Sequence, residues 1–237
     1  MGSTSGTTYI DSGGLQIPPE EIVVELKVGL QRFLDGKSAH PHATEARRHQ
    51  LAGGQHPQVA VLACSDSRVP VEVIFDAGFG DMFVIRNAGN TNTFGSAGSI
   101  EYAVADLGIR VLLVMSHQGC GAVKAAYLTG QSFSPSLSEL VCDIKSGLNN
   151  HGFRTDDLNT YEQACIAHSR ITAEALVQSS DIIRDAVSKK ALIVQPAFLH
   201  IDPLSITWLD PLYGDARAEG STDSGAIHIA SPYEKKR

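Results

Sequence analysis

The 237-residue sequence lacks three features that would each point to a broad class of protein. Basic residues are not in excess, since 19 Lys and Arg stand against 26 Asp and Glu, a net charge of −7. Because binding to a phosphate backbone requires a basic face, we expect no nucleic-acid partner. The strongest apolar run, VLLVM at 111–115, has the length of a strand. A membrane-spanning helix needs ~20 apolar residues, so we also expect no membrane span.

Cysteine, the third feature, is scarce. The four cysteines are Cys64, Cys120, Cys142 and Cys165. This density is too low for a disulfide scaffold and favours a reducing compartment, in which thiolates stay free to bind a metal. Residues 1–17 lack the basic and apolar regions of a secretory signal and are typical of a flexible N-terminal segment. We therefore expect a cytoplasmic protein, or an organellar one if a targeting peptide was removed.

Hydrophobic residues make up 43% of the chain, which is enough for one buried core. An amphipathic helix is predicted over 18–35, and residues 36–57 predict a polar connection that includes a short helix. Strands are predicted at 59–63, 82–85, 110–115, 191–198 and 205–210. Helices are predicted at 96–108, 120–128, 136–148 and 158–189.

This alternation predicts an α/β fold: a mostly parallel central sheet of four strands plus an antiparallel edge strand, flanked by helices. A single domain is expected over 18–211. A polar C-terminal tail is expected over 212–237, with covering of a partner subunit as one hypothesis for its role.

Side chains that bind metals follow two of the predicted strands. Cys64 comes directly after the first strand, and His117 and Cys120 follow the third. The carboxyl ends of parallel strands meet at one edge of a sheet, which places the three residues together. Two thiolates and an imidazole suit Zn²⁺ and leave one tetrahedral position open, as in a catalytic site.

Asp66 and Arg68 alternate with Cys64 in the stretch VLACSDSR. A bidentate pair with Arg68 would keep the Asp66 carboxylate ionised, so that it accepts a hydrogen bond at the open metal position. Alternatively, Asp66 binds the zinc itself and closes the site. The sequence leaves both arrangements open.

Other potential ligands have simpler interpretations. Cys165 and His168 share one face of a predicted helix, which favours packing in the core or at an interface over a second metal site. Cys142 has no visible partner. His40, His42 and His49 lie in a polar segment where a solvated surface is the default interpretation.

Four motifs make the chain resemble the β-class carbonic anhydrases, over most of residues 25–210. They are ACSDSRVP (63–70), FDAGFGDMFVIRNAGN (75–90), GSIEYAV (98–104) and HQGCGAVKAA (117–126). The resemblance implies one zinc ion per subunit on Cys64, His117 and Cys120, with an Asp66–Arg68 dyad beside it. It also implies a homodimer or a higher even-numbered homo-oligomer, with the active-site cleft at the subunit interface.

The resemblance further assigns a substrate pocket to Gln55, Phe83, Ala88 and Tyr102. Gln55 would donate a hydrogen bond to substrate oxygen, and Phe83 would supply an apolar wall for CO₂. The family's common glycine before the zinc histidine is Ser116 here, which removes no ligand. A bacterial subgroup with an allosteric bicarbonate pocket has tryptophan where this chain has Val61 and usually glycine where it has Ala63. These differences favour the constitutively open, plant-like type.

The implied function is zinc-dependent reversible hydration of carbon dioxide to bicarbonate and a proton, by attack of zinc hydroxide. One alternative is hydrolysis of carbonyl sulfide or carbon disulfide at the same site, because those molecules are also linear. A second alternative is a non-catalytic, zinc-bearing assembly module. The intact Asp66–Arg68 pair argues against the second, since a purely structural zinc site has no use for it.

Overall fold

A five-stranded sheet lies at the centre of the computed structural model, which describes residues 17–128 and 130–214. Its strand order is β2-β1-β3-β4-β5. The first four strands are parallel and β5 is antiparallel to β4, which confirms the predicted fold class. The strands are β1 (Val59–Cys64), β2 (Met82–Asn87), β3 (Val111–His117), β4 (Ile193–His200) and β5 (Ser205–Trp208).

Helices cover both faces of the sheet. They are α1 (Pro19–Leu34), α2 (Glu45–Gln50), α3 (Val71–Ile74), α4 (Phe94–Ala105), α5 (Gly121–Ala126), α6 (Pro135–Asn150), α7 (Tyr161–Ser179) and α8 (Asp181–Ser188). Short 3₁₀ turns lie at Leu51–Gly53, Ala88–Asn90 and Leu158–Thr160. Within the described residues, no helix combines the length and apolar character that a membrane crossing requires.

Alternate residues of each strand face opposite helical layers. Helix α1 buries Ile22, Leu26 and Leu30 against Val61 and its neighbours on one face of the sheet. Helices α4, α7 and α8 pack against the other face. A third apolar cluster, contributed by α5, α6 and α7, surrounds Cys64 and Cys120 at the carboxyl end of the strands. The cysteines therefore lie at one end of the core, inside a shell of helices.

The register of β1 and β3 aligns the ends of these strands. Ala63 pairs with Met115, and every residue of both strands is buried. Continuous burial explains why both read as unbroken apolar runs in the sequence. Because β3 runs on to His117, two residues beyond its predicted end, the imidazole belongs to the strand itself.

The predicted helix 158–189 is two helices. Ser180 adopts an extended conformation (φ −115°) and accepts a hydrogen bond from the N–H of Ile183, which caps α8. Its hydroxyl also donates to Glu101 at 2.6 Å. A serine that caps the next helix ends the preceding one, a signal that the long helical periodicity concealed.

Both predicted terminal segments lie largely outside the described residues, namely 1–16 of the flexible segment and 215–237 of the tail. Residues 212–214 pack against the domain, since Leu212 pairs with Val194 of β4 and the N–H of Gly214 donates to the carbonyl of Val187. The single-domain assignment stays a prediction.

Candidate metal centre

Three potential metal ligands converge at the carboxyl ends of β1 and β3. One ligand atom from each of Cys64, His117 and Cys120 lies within 4.8 Å of the other two, and all three residues are buried. The parallel pairing of β1 and β3 brings the first two together, and a tight turn returns Cys120 to the same point. The structure therefore assembles the predicted set in one place.

The turn between His117 and Cys120 depends on a glycine. Gly119 has φ +67°, a left-handed conformation that costs other residues energy. Cys120 then takes the N-cap position of α5, where the N–H groups of Ala122 and Val123 face its sulfur. The H-x-x-C spacing is thus one turn between a strand and a helix, with the thiol held at the helix start.

His117 is oriented as a metal ligand. Its Nδ1 lies 3.0 Å from the carbonyl oxygen of Gln118, and a carbonyl can only accept, so Nδ1 carries the proton. Nε2 is then a bare lone pair, buried and without a hydrogen-bond partner among the described residues. A buried acceptor is costly to leave unsatisfied, and a metal ion would satisfy it.

A hydrogen bond joins the side chains of the two cysteines. A hydrogen bond from the Cys120 thiol lowers the pKa of Cys64 to about 4, with smaller contributions from His117 and the backbone N–H of Gly89. The same bond raises the pKa of Cys120. The site thus offers a thiolate, a second sulfur and an imidazole lone pair, a donor set that fits Zn²⁺ and leaves its fourth position free.

Asp66 is paired with Arg68. Arg68 donates from Nε to Oδ1 at 2.9 Å and from Nη2 to Oδ2 at 2.7 Å, and its backbone N–H donates to Oδ1 at 2.9 Å. The side-chain hydrogen bonds from Arg68 hold the pKa of Asp66 far below its usual range. Asp66 Oδ2 lies 3.9 Å from His117 Nε2, so the ionised carboxylate borders the ligand cluster. The structure thus contains the Asp66–Arg68 pair, which is one of the two arrangements left open by the sequence.

Arg86 supports this segment and was missed by sequence reasoning. It donates from Nε to the carbonyl of Cys64 at 3.0 Å and from Nη2 to that of Asp66 at 2.6 Å. The guanidinium thus holds the chain where it leaves β1. Arg86 lies within the motif at 75–90, but its role depends on its register opposite Ala63, which requires knowing that β1 and β2 are neighbours.

The four predicted pocket residues do not gather around the cluster within one chain. Ala88 is exposed and belongs to the turn that contacts Cys64 through Gly89. Phe83 pairs with Ala60, about 13 Å along the strand from Cys64. The ring of Tyr102 contacts that of Phe83 in a tilted arrangement, with 6.1 Å between the centroids. Gln55 is exposed in the segment leading into the far end of β1. One chain thus presents the ligands and most of the pocket residues at opposite ends of β1.

The other histidines and cysteines in the described part of the chain lie outside the ligand cluster. Cys165 and His168 are buried in α7, as expected for packing residues. Cys142 is exposed. His42 pairs through Nδ1 with the buried carboxylate of Asp81 at 2.6 Å. His49 is exposed beside Glu45.

Comparison with known proteins identifies the family. The family model described as carbonic anhydrase matches residues 59–203, more than half of the chain. The chain belongs to the carbonic anhydrase family. The match spans all three candidate metal ligands and the Asp66–Arg68 pair, so it rests on the segments that the sequence analysis singled out.

Curated relatives agree with this family. Carbonic anhydrase 2 of Mycobacterium tuberculosis is 48% identical over 101 residues, or 43% of this chain and 49% of the relative. A carbonic anhydrase of Mycolicibacterium smegmatis is 47% identical over 100 residues, or 42% and 48% of the two chains. The chain thus spans about half the length of these curated relatives.

Solved structures confirm the β class. A tetrameric β-carbonic anhydrase of the filamentous ascomycete Sordaria macrospora is 28% identical, with a TM-score of 0.60, covering 79% of this chain and 96% of the other. The β-carbonic anhydrase CcaA is 25% identical, with a TM-score of 0.63, covering 83% and 94%. The resemblance found in the sequence motifs therefore extends to the fold.

Proposed function

We propose that this protein is a zinc enzyme that reversibly hydrates carbon dioxide to bicarbonate and a proton, within a single domain over residues 18–211. The observation that carries the proposal is the position of an ionised carboxylate, locked by an arginine, beside a buried Cys-His-Cys cluster. The names of the relatives support it, although the match covers about half their length.

Cys64, His117 and Cys120 would hold the metal. A Zn²⁺ ion bound there supplies a nucleophile at neutral pH, because zinc lowers the pKa of a bound water from ~15.7 to about 7. The unpartnered Nε2 of His117 and the two buried sulfurs that lie close to it support this ligand set.

Asp66 orients the attacking oxygen. Its carboxylate is acceptor-only when ionised, so it can take a hydrogen bond only from a proton on that oxygen. The fork of Arg68 restricts the rotation of the carboxylate, and Arg86 fixes the backbone that carries it. A preorganised acceptor costs no reorganisation during the reaction, which is where such groups accelerate it.

A second copy of the chain completes the substrate pocket. Gln55, Phe83 and Tyr102 lie too far from the ligands of their own chain, so they serve a site on a partner. The surface beside them is apolar and uncovered: Phe94 is fully exposed at 101%, and nothing lies within 4 Å of a Cβ placed at Gly98. The tetrameric Sordaria macrospora relative supports a homodimer or a higher even-numbered assembly.

The deciding experiment is stopped-flow CO₂ hydration on zinc-loaded protein, run beside a carbonyl sulfide hydrolysis assay. Hydration well above buffer, with slow carbonyl sulfide turnover, supports the proposal. Faster turnover of carbonyl sulfide would assign the alternative hydrolase, and no turnover of either substrate would assign the non-catalytic module.

A matched pair of variants tests the role of Asp66. We expect Asp66→Asn to keep its zinc and to lose about 10²-fold or more in kcat/KM, because the amide no longer serves as an ionised acceptor. The control is Asp156→Asn, which breaks a similar bidentate pair with Arg154 on an exposed surface. Equal activity of the two variants would reject the assigned role.

A further inference from the structure

Cys165 and His168 have no part in the proposed function, yet both lie directly behind the metal ligands. They occupy α7 together with Tyr161, at spacings of four and three residues, so the three side chains form one stripe of the helix. Cys165 and His168 are buried and Tyr161 is half-buried, and Cys165 and Tyr161 pack in the apolar cluster that contains Cys64 and Cys120. The structure thus places polar side chains where apolar packing alone would suffice.

His168 binds the turn that touches Cys64. Its Nε2 lies 2.7 Å from the carbonyl oxygen of Gly89, so Nε2 carries the proton and donates. Complete burial lowers the pKa of His168, in keeping with a neutral imidazole. Nδ1 is buried without a partner among the described residues. The hydrogen bond to Gly89 is therefore the one polar contact of this side chain among the described residues. It is made at the cost of burying Nδ1 without a partner.

Gly89 transmits this contact to the metal ligand. Its own N–H donates to the sulfur of Cys64 at 3.3 Å, while its carbonyl accepts from His168. The peptide groups on both sides of this glycine are therefore hydrogen-bonded: the N–H of one binds the Cys64 sulfur, and the carbonyl of the other accepts from His168 of α7. Gly89 has φ +72° within this 3₁₀ turn, whose ends are joined by two hydrogen bonds between Asn87 and Thr91.

The other cysteine is held from the same helix. The hydroxyl of Tyr161 donates to the carbonyl oxygen of Cys120 at 2.9 Å. The ring of Tyr161 packs edge-on against Tyr127, with 5.8 Å between the centroids. One face of α7 thus binds the backbone beside both sulfur ligands.

We propose that His168 and Tyr161 are positioning residues through which α7 braces the metal centre, His168 by aiming the Gly89 N–H at the Cys64 sulfur. The inference rests on the proposed zinc site but not on carbon dioxide as its substrate. An N–H bond to a metal-bound thiolate withdraws charge from the sulfur, and contacts behind the ligands of this kind set affinity and electronic character.

Replacing zinc with cobalt allows the effect of this contact on the metal site to be measured by absorption spectroscopy, without an activity assay. His168→Leu removes the donor, and we expect it to shift the sulfur-to-cobalt charge-transfer band and to weaken zinc binding at least about tenfold in chelator competition. His168→Gln keeps an amide N–H near the position of Nε2 and should restore both. The control, Leu176→Ala, makes a cavity elsewhere on α7 and should leave the band in place. An unchanged band and affinity in His168→Leu, or an equal shift in Leu176→Ala, would overturn the proposal.

A second pair decides the matter if His168→Leu does not fold. Tyr161→Phe removes only the hydroxyl that reaches Cys120, whereas Tyr127→Phe removes one that pairs with Thr160. We expect weaker zinc binding in Tyr161→Phe alone. Equal affinities for the two variants would contradict the proposed brace. Because these readouts are affinity and spectrum, they stay valid even if the protein fails to hydrate CO₂.

Discussion

Replacing Gly89 with alanine should damage the metal centre from behind. Gly89 has φ +72°, and a Cβ at this position would lie 2.9 Å from Ile144 Cδ1 and 3.0 Å from Ala122 Cβ. Real Cβ atoms are almost never found so close to a neighbour. Either Ile144 and Ala122 would have to give way, or the turn would have to shift together with the N–H that binds the Cys64 sulfur.

The expected loss of stability has two parts. The left-handed backbone costs an alanine about 1–2 kcal/mol. Overpacking against Ile144 and Ala122 adds roughly 1–3 kcal/mol. We therefore expect Gly89→Ala to lower the free energy of unfolding by about 2–5 kcal/mol in all. Gly108 provides the matched control, because its φ is +69° and nothing lies within 4 Å of a Cβ placed there. Gly108→Ala should therefore lose only the part of the unfolding free energy that comes from the left-handed backbone.

Both variants are measured by urea unfolding at one protein concentration and one free zinc concentration, since binding and assembly contribute to apparent stability. Zinc affinity is measured separately by chelator competition. Gly89→Ala should be the less stable variant and should bind zinc more weakly than wild type, whereas Gly108→Ala should bind it normally. If the two variants lose the same stability and keep the same zinc affinity, the argument from packing at Gly89 is wrong.

Three further predictions concern other parts of the molecule. Arg68→Gln should keep its zinc and lose turnover, and the pKa of Asp66 should rise towards its usual range; normal kcat/KM would contradict this. Burial alone would raise the pKa of Asp76, but the N–H of Ala39, the Arg32 guanidinium and another backbone N–H hold it below the usual value. Its stabilisation is therefore present above about pH 4 and lost as the pH falls, so urea unfolding between about pH 5 and about pH 3 should weaken wild type more than Asp76→Asn. Phe94→Glu should shift the assembly to smaller species in light scattering, and an unchanged mass would place the interface elsewhere.

Local patterns carried most of the fold prediction. Strands β1 and β3 are buried on both faces, so they are unbroken apolar runs in the sequence. The helix α1 was equally clear, because its buried residues follow a helical period. The break at Ser180 was missed because the residues on either side of it continue a helical pattern.

The ligand set was also predictable, since chemistry and spacing both mark it. Cys64 and His117 each end a parallel strand, and Cys120 follows within one turn, so strand assignment alone brings them to the same edge of the sheet. Sulfur and imidazole donors in this number favour Zn²⁺ as the metal. The sequence by itself determined these features, because each depends on residues that are close along the chain or on the general rule for parallel strands.

The tertiary structure decided what depends on distant contacts. The folded chain places the Asp66 carboxylate in a pair with Arg68 and beside the candidate metal site, a geometry that the spacing alone left open. The register of β1 and β2 separates Phe83 from the ligands, which points to a second subunit. His168 meets Gly89 across 79 residues of chain. The helical or strand periodicity of a short segment cannot predict such a contact, because the contact forms only when the helix packs against the sheet.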